Sequence, residues 1–189
     1  LILMALPMLI PWNVVGAMWN IFTLPDIGLL GYFVNHVLGI NYDMTQDPFA
    51  AWVTIITMDV WHWTSLVVIL CYSALTTVPA AYYQAAAIDG ASPWQVFRHI
   101  QLPKLHHVLL MAILLRFMDS FMIYTEAFPI NAGGPDGATT FLAVDLGEEI
   151  RAFNYGPSAA RSVIYFMIIL TVAWMFSKAQ DMLDCGERS

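Results

Sequence analysis

The chain has 189 residues, of which 59% are hydrophobic and only 11% charged, with a mean hydropathy of +0.66. A soluble domain carries about 25% charged residues, so this composition excludes an ordinary water-soluble protein and puts the chain in a membrane. The net charge of −7 argues against a nucleic-acid partner, and the absence of any Gly-x-x-x-x-Gly-Lys-Ser/Thr phosphate loop removes ATP hydrolysis by that route.

The chain begins at Leu1 with no initiator Met and no basic residue before the first apolar run, so further residues are expected upstream. Residues 1 to 24 are apolar except for Asn13 and Asn20, with Pro7 and Pro11 as expected kinks, and are long enough to cross about 30 Å of hydrocarbon as one helix. From Pro25 to Pro48 the chain turns polar and glycine-spaced, with Asp26, Asp43 and Asp47 and no Lys or Arg, which reads as a loop at one membrane face. Within it, Leu29 to Leu38 has the composition of a short interfacial helix. A second span is expected over 51–76, closed by Pro79, a third over 105–128 and a fourth over 158–176, before a polar tail. Cys71, inside the second span, reads as a small packing residue, and with Cys185 near the end it makes neither a disulfide framework nor a metal cluster.

Between the second and third spans lies the segment 79–104. Ala85 to Ile88 are good helix formers, and Gly90 suits the left-handed position just past a helix end. Ser92 can cap a second helix, Pro93 fits its first position, and Gln95 completes a capping-box spacing. The expectation is therefore two short helices joined by a tight turn. Four spans put this segment and the tail on one side with Arg98, Lys104, Lys178 and Arg188, against Arg151 and Arg161 on the other, and Lys and Arg favour the cytoplasmic side.

The run Gln84-Ala85-Ala86-Ala87-Ile88-Asp89-Gly90-Ala91, continued by Phe97, Ile100, Leu102 and Pro103, resembles the cytoplasmic loop Glu-Ala-Ala-x-x-x-Gly-x9-Ile-x-Leu-Pro of permease subunits in binding-protein-dependent ABC importers. Gly133-Gly134-Pro135 with Ala138-Thr139, and Phe153-x-x-Gly156-x-x-x-Ala160, are similar to the carbohydrate-type branch. The resemblance covers essentially the whole chain as the last four helices of a six-helix permease, an all-α type I ABC importer transmembrane domain of the inner membrane. It implies a second permease subunit, an ATPase dimer that binds ATP and Mg, and an external solute-binding protein as partners, with membrane lipid around the spans. It also implies that 84–103 docks on the ATPase. This chain departs from the motif at Gln84, where the family has Glu; exposed ion pairs contribute only about 0–1 kcal/mol, so the change alone does not argue against docking.

Inside the expected spans, Asp59 and Asp119 lie roughly 12–14 Å from one face and His62 and Arg116 roughly 17–18 Å, at 1.5 Å per helical residue. Each ionised group at such depth costs on the order of 3 kcal/mol on insertion scales and should face protein or water. One reading is structural, with Arg116 paired to Asp119 three residues on, or to Asp59 across helices. The other is a substrate path lined by Asp59, His62, Asp119 and nearby aromatics, since carboxylates and tryptophans suit sugar or polyol hydroxyls and apolar faces. Arg116, Ser120 and Tyr124 are further candidates for that path. Trp61 and Trp63 lie about 200° apart on a helix, so only one can face a given cavity.

His106 and His107 are adjacent and do not share a helix face, which argues against a metal site there, and Trp12, Trp19, Trp52 and Trp174 read as aromatic belt or core. Thr125 and Glu126 follow Tyr124 at the end of the third span, where they either receive substrate or close the helix. The segments Pro11-Trp12-Asn13-Val14-Val15-Gly16, Asp59-Val60-Trp61-His62-Trp63-Thr64-Ser65 and Arg116-Phe117-Met118-Asp119-Ser120-Phe121 resemble glycerol-importing permeases, with a disaccharide such as maltose or trehalose as the alternative solute. A proton-coupled secondary carrier and an intramembrane enzyme are the readings from other classes, the latter lacking metal or oxyanion partners.

Overall fold

A computed structural model describes residues 2–187, with side chains through Lys178; Arg188 and the side chain of Cys185 lie outside the described residues. The described residues form helices and loops without a strand. Three helices are long and apolar enough to cross a membrane, Pro48–Thr76, Pro93–Met122 and Tyr155–Lys178, and a fourth crossing is counted if the bent pair Ile2–Leu9 and Trp12–Thr23 acts as one.

That bent pair corrects the expectation of a single helix over 1–24. Helix α1 (Ile2–Leu9) and helix α2 (Trp12–Thr23) meet at 101°. Pro11 disfavours helical geometry at the residue before it, and Ile10 is extended at φ −84°, ψ 127°. The ring of Pro11 then starts α2 with no N–H to satisfy.

Val15, Trp19 and Thr23 recur four residues apart and bury one face of α2. They meet Met44, Ala51, Ile55, Met58 and Ile130 in the central core. Gly16 belongs to the same interface because a Cβ there would stand 2.3 Å from the backbone oxygen of Glu126. Helix α3 (Leu29–Tyr32) continues into a π-turn over Phe33–Val37, inside the stretch expected to be a short helix. Asn35 then clasps Tyr42, donating to its carbonyl at 3.0 Å and accepting from its N–H at 2.6 Å.

Helix α4 (Pro48–Thr76) begins three residues earlier than the apolar run alone indicates. Asp47 caps it, accepting from the N–H groups of Phe49 and Ala50, and Pro48 takes the first position. Helix α5 (Ala80–Ile88) ends at Gly90, whose φ is +66°; the Ala91 N–H reaches Ala86 O at 2.9 Å and the Gly90 N–H reaches Ala87 O at 3.2 Å, a Schellman closure.

Helix α6 (Pro93–Met122) starts with the capping box of Ser92 and Gln95. Here the second expectation is corrected: the helix does not stop near Pro103 but runs unbroken into the third span. The segment Phe97–Gln101 is a π-turn, in which the Leu102 N–H bonds Phe97 O five residues back. This wider turn accommodates Pro103, which cannot donate to the carbonyl four residues before it. The helix also ends sooner than expected, at Met122 and not Phe128, because Ile123 turns extended at φ −64°, ψ 101°.

A short helix α7 (Phe128–Asn131) follows, then α8 (Leu142–Arg151) and α9 (Tyr155–Glu187). Helix α4 packs on α6, α2 on α7 and α4, and α9 on α8 and α6. Long-range bonds from Asn131 Nδ2 to Met44 O at 2.8 Å and from Trp52 Nε1 to Ala138 O at 3.1 Å tie the loops to this frame.

The contact at Gly16 gives a direct test of this packing. Gly16→Ala forces backbone apart and is expected to cost about 1–3 kcal/mol, read as a lower unfolding midpoint of the purified protein in detergent. Gly156→Ala, where the added methyl meets nothing within 4 Å, should be neutral or slightly stabilising in the same assay.

Candidate functional site

Asp59, His62 and Trp63 stand at positions i, i+3 and i+4 of α4 and therefore share one face. Arg116 and Asp119 stand three apart on α6, which packs against α4. The two helices meet through Arg116. Its Nη2 donates to Asp59 Oδ2 across the interface, and its Nη1 donates to Asp119 Oδ2 at 2.8 Å along its own helix. Both pairings that the sequence left open thus occur together. The guanidinium also lies over the Trp63 ring, with Cζ 4.3 Å from the centroid.

Trp12, from the start of α2, closes the cluster. Its ring lies 3.8 Å from that of His62 and 5.6 Å from that of Trp63, so a residue read from sequence as belt or core sits on the polar layer. The signal was the Pro11-Trp12 pair: the turn at Pro11 is what aims Trp12 at α4. Trp61 points elsewhere, with its ring edge-on to Trp19 at 5.9 Å, consistent with its angular separation from Trp63.

The cluster is enclosed but incompletely paired. His62 is 3% exposed, and Asp59 Oδ1, His62 Nδ1 and Trp63 Nε1 are buried with no hydrogen-bond partner in the chain. The side chains of Asp59, Arg116 and Asp119 are 17%, 21% and 31% exposed, so the ionic centre opens to one side of the subunit. Asp119 reaches a largely apolar groove of about 540 Å³ with Met111, Met118, Met122 and Ile169. Among the described residues, no group of His, Cys, Asp and Glu is arranged to hold a metal ion.

Two further candidates for the path make contacts outside this cluster. Ser120 is exposed and its hydroxyl donates back to Phe117 O at 2.7 Å. Tyr124 stacks on Phe128 at 5.6 Å and crowds Gly147, where a Cβ would meet its ring at 2.6 Å. Glu126, in the loop beyond Met122, is only 6% exposed. Burial pushes its carboxyl up to about 7, with the Asp119 and Asp59 charges adding to the rise and its own backbone N–H and Arg116 opposing it.

At the other end of α6, the turn between α5 and α6 forms a second feature. Gln84, Ala85, Asp89 and Gly90 are exposed, Ala86 is buried beneath them, and Ala91 and Ile100 are half-buried. Phe97 is 37% exposed and stacks on Trp94 at 5.5 Å, and Leu102 and Pro103 lie at the surface just beyond. Tyr82, Ala85, Asp89, Gln95 and Ile100 border an open groove of about 480 Å³ between the two helices.

The family model described as "Binding-protein-dependent transport system inner membrane component" matches residues 1–181. The trehalose/maltose transport system permease protein MalF of Thermococcus litoralis is 30% identical over 175 residues, covering 90% of this chain and 59% of that protein. The sn-glycerol-3-phosphate transport system permease protein UgpA of Salmonella typhimurium is 31% identical over 177 residues, with 90% and 59% covered. The chain thus spans about three fifths of the length of these relatives. A subunit in the crystal structure of a bacterial ABC transporter for import of the acidic polysaccharide alginate superposes with a TM-score of 0.83 at 16% identity, covering 94% of this chain and 63% of that one, which establishes a shared fold.

Two measurements probe the site. Arg116→Met leaves two facing carboxylates without their cation and should lower unfolding stability by about 3 kcal/mol, with part recovered when Asp59→Asn is added; equal stability of the single and double variants would contradict the pairing. Because the folded Glu126 carboxyl holds its proton to about pH 7 whereas the unfolded one releases it near 4.5, its contribution to stability falls as pH rises from about 4.5 to 7 and is flat beyond. Glu126→Gln should remove that part of the pH dependence of the unfolding midpoint.

Proposed function

Since the chain belongs to the binding-protein-dependent transport system inner membrane component family, we propose that it is one permease subunit of an ATP-driven importer for a sugar or polyol, with glycerol as the solute. In this reading the α5–α6 turn lies in the cytoplasm and docks on an ATPase dimer, which binds ATP and Mg and performs the hydrolysis. A second permease subunit completes the passage, and an external binding protein delivers the solute. The permease itself does no covalent chemistry.

The observation that carries the proposal is the continuity of α6. One unbroken helix runs from the capping box at Ser92 to Met122 and bears Arg116 on the way. A displacement of the turn is therefore passed along a rigid element to Arg116, about 35 Å away at 1.5 Å per residue. There it acts on α4 through Asp59, so that closure of the ATPase dimer changes which side the polar layer faces. The residues assigned to ATPase coupling are Gln84, Ala85, Ala86, Asp89, Gly90, Ala91, Phe97, Ile100, Leu102 and Pro103. Those assigned to the solute path are Asp59, Trp61, His62, Trp63, Arg116, Asp119, Ser120 and Tyr124, with Asp59, His62 and Trp63 favoured by their unpaired polar atoms.

A disaccharide such as trehalose or maltose is the second reading, favoured by the relative named for those sugars. The relative named for sn-glycerol 3-phosphate brings a phosphorylated polyol within range as well.

Reconstitution of the chain with its partner subunits in vesicles tests the proposal. ATP-dependent uptake of labelled glycerol, insensitive to collapse of the proton gradient, is expected; uptake that requires the gradient and not ATP would refute it. Gly90→Val places a branched side chain at φ +66° and should cut uptake at least about tenfold, because opening the turn costs on the order of 1–2 kcal/mol and misplaces the docking surface. Membrane insertion should be unchanged. Asp119→Asn should likewise impair uptake more than assembly, and normal uptake by that variant would remove Asp119 from the path.

A further inference from the structure

The polar layer between α4 and α6 has an asymmetry of charge that bears on which solutes it can hold. Among the described residues Arg116 is its one cation, and both terminal nitrogens of the guanidinium are engaged, one by Asp59 and one by Asp119. Its flat face is covered by the Trp63 ring. One N–H of each terminal nitrogen is thus taken by the protein's own carboxylates, and one cation against two anions leaves the triad net negative.

What remains free is of a different kind. Asp59 Oδ1 is an acceptor, Trp63 Nε1 is a donor, and His62 Nδ1 takes either role according to tautomer; all three are buried and without a partner in the chain, and His62 is 97% buried. A hydroxyl group donates and accepts at once, so a molecule bearing several hydroxyls would satisfy all three atoms once a movement of α4 against α6 uncovers them. The half-buried Trp12 and Trp63 rings beside them make the surroundings of these atoms apolar. A phosphoryl group at the same place would face two carboxylates with no uncommitted cation, and like-charge juxtaposition of this sort is strongly unfavourable.

We infer that the Asp59–Arg116–Asp119 triad is a charge filter that admits uncharged polyhydroxylated solutes and rejects their phosphorylated forms. The inference rests on the reading of this layer as the solute path and adds to it the class of solute and the residues that set it. Asp59 combines two tasks, with one oxygen holding Arg116 and the other facing the solute. Asp119 supplies the second negative charge from the more open side.

The test is equilibrium binding to the assembled transporter in detergent, without the external binding protein, so that only the membrane site selects. The probes are labelled glycerol and trehalose and their phosphorylated forms, glycerol 3-phosphate and trehalose 6-phosphate. At least one neutral probe is expected to bind, with its phosphorylated form at least about tenfold weaker. Asp119→Asn, which makes the layer neutral, should narrow that ratio by about tenfold, and Asp119→Glu should keep it. Asp59→Asn is expected to narrow the ratio and weaken neutral binding as well. If Asp119→Asn does not assemble, the ratio in the unmodified transporter together with Asp119→Glu still decides. Equal affinity for the neutral and phosphorylated probes, or a ratio unmoved by Asp119→Asn, overturns the filter and leaves the path intact. Failure of every neutral probe to bind overturns the sugar or polyol reading and the filter with it.

Discussion

The structure depends on a single cation placed between two helices. Arg116 on α6 is held at once by Asp119 on its own helix and by Asp59 on α4. In hydrocarbon an unpaired guanidinium or carboxylate is costly to keep, so each of the three charges is tolerable only while the other two stay in place. This makes the α4–α6 register a matter of electrostatics as well as packing. A slide of one turn would move Asp59 and Arg116 about 5.4 Å apart and leave Asp59 without its partner. The aromatic neighbours reinforce that register, since Trp63 lies against the guanidinium and Trp12 covers His62.

Around this centre the remaining contacts follow from small residues and short turns. Gly16 lets α2 press against the backbone at Glu126, and Asn20 donates to Ile130 O, so the loop beyond α6 is fastened to the first helical unit of the chain. The same unit carries Trp12 into the polar layer. The bend at Pro11 is therefore more than an interruption of a span, for a straight helix would send Trp12 in another direction. The family places these elements in an inner-membrane subunit, and the proposed import function uses them as a lever whose short arm is the cytoplasmic turn.

Much of this was legible in the residues. The Schellman closure at Gly90 and the capping box at Ser92 and Gln95 are local, and local signals survive into the folded chain because neighbouring residues alone satisfy the bonds. The common depth of Asp59, His62, Arg116 and Asp119 was also legible, since helical rise is constant and two antiparallel spans can be laid side by side on paper. Partner choice was not. The sequence allowed Arg116 to pair with Asp119 or with Asp59, and only the azimuth of α6 against α4 lets it do both. The bend at Pro11 exceeded what a proline kink implies because hydropathy is blind to direction, and α1 and α2 are equally apolar. The end of the third span was misplaced for the same reason: residues 123–128 are apolar enough to continue a helix, yet tertiary contact with α2 and α8 takes them out of it. Tyr124 belongs to that redirected stretch, which is why it packs on Phe128 and Gly147.

The π-turn over Phe97–Gln101 sets the phase of the long helix that follows it. Such a turn holds one residue more than an α-turn, so every side chain beyond it is rotated by about 100° relative to the Ser92 end. The face of α6 that carries Phe97 and the face that carries Arg116 are thus set independently, and the five residues between them fix the angle. The helix works like a shaft with an indexed joint in it: the same α5–α6 turn can present a different wall of the polar layer if the joint gains or loses a residue. Related chains could re-aim their polar residues by a single insertion or deletion there while leaving both ends of the helix unchanged in sequence.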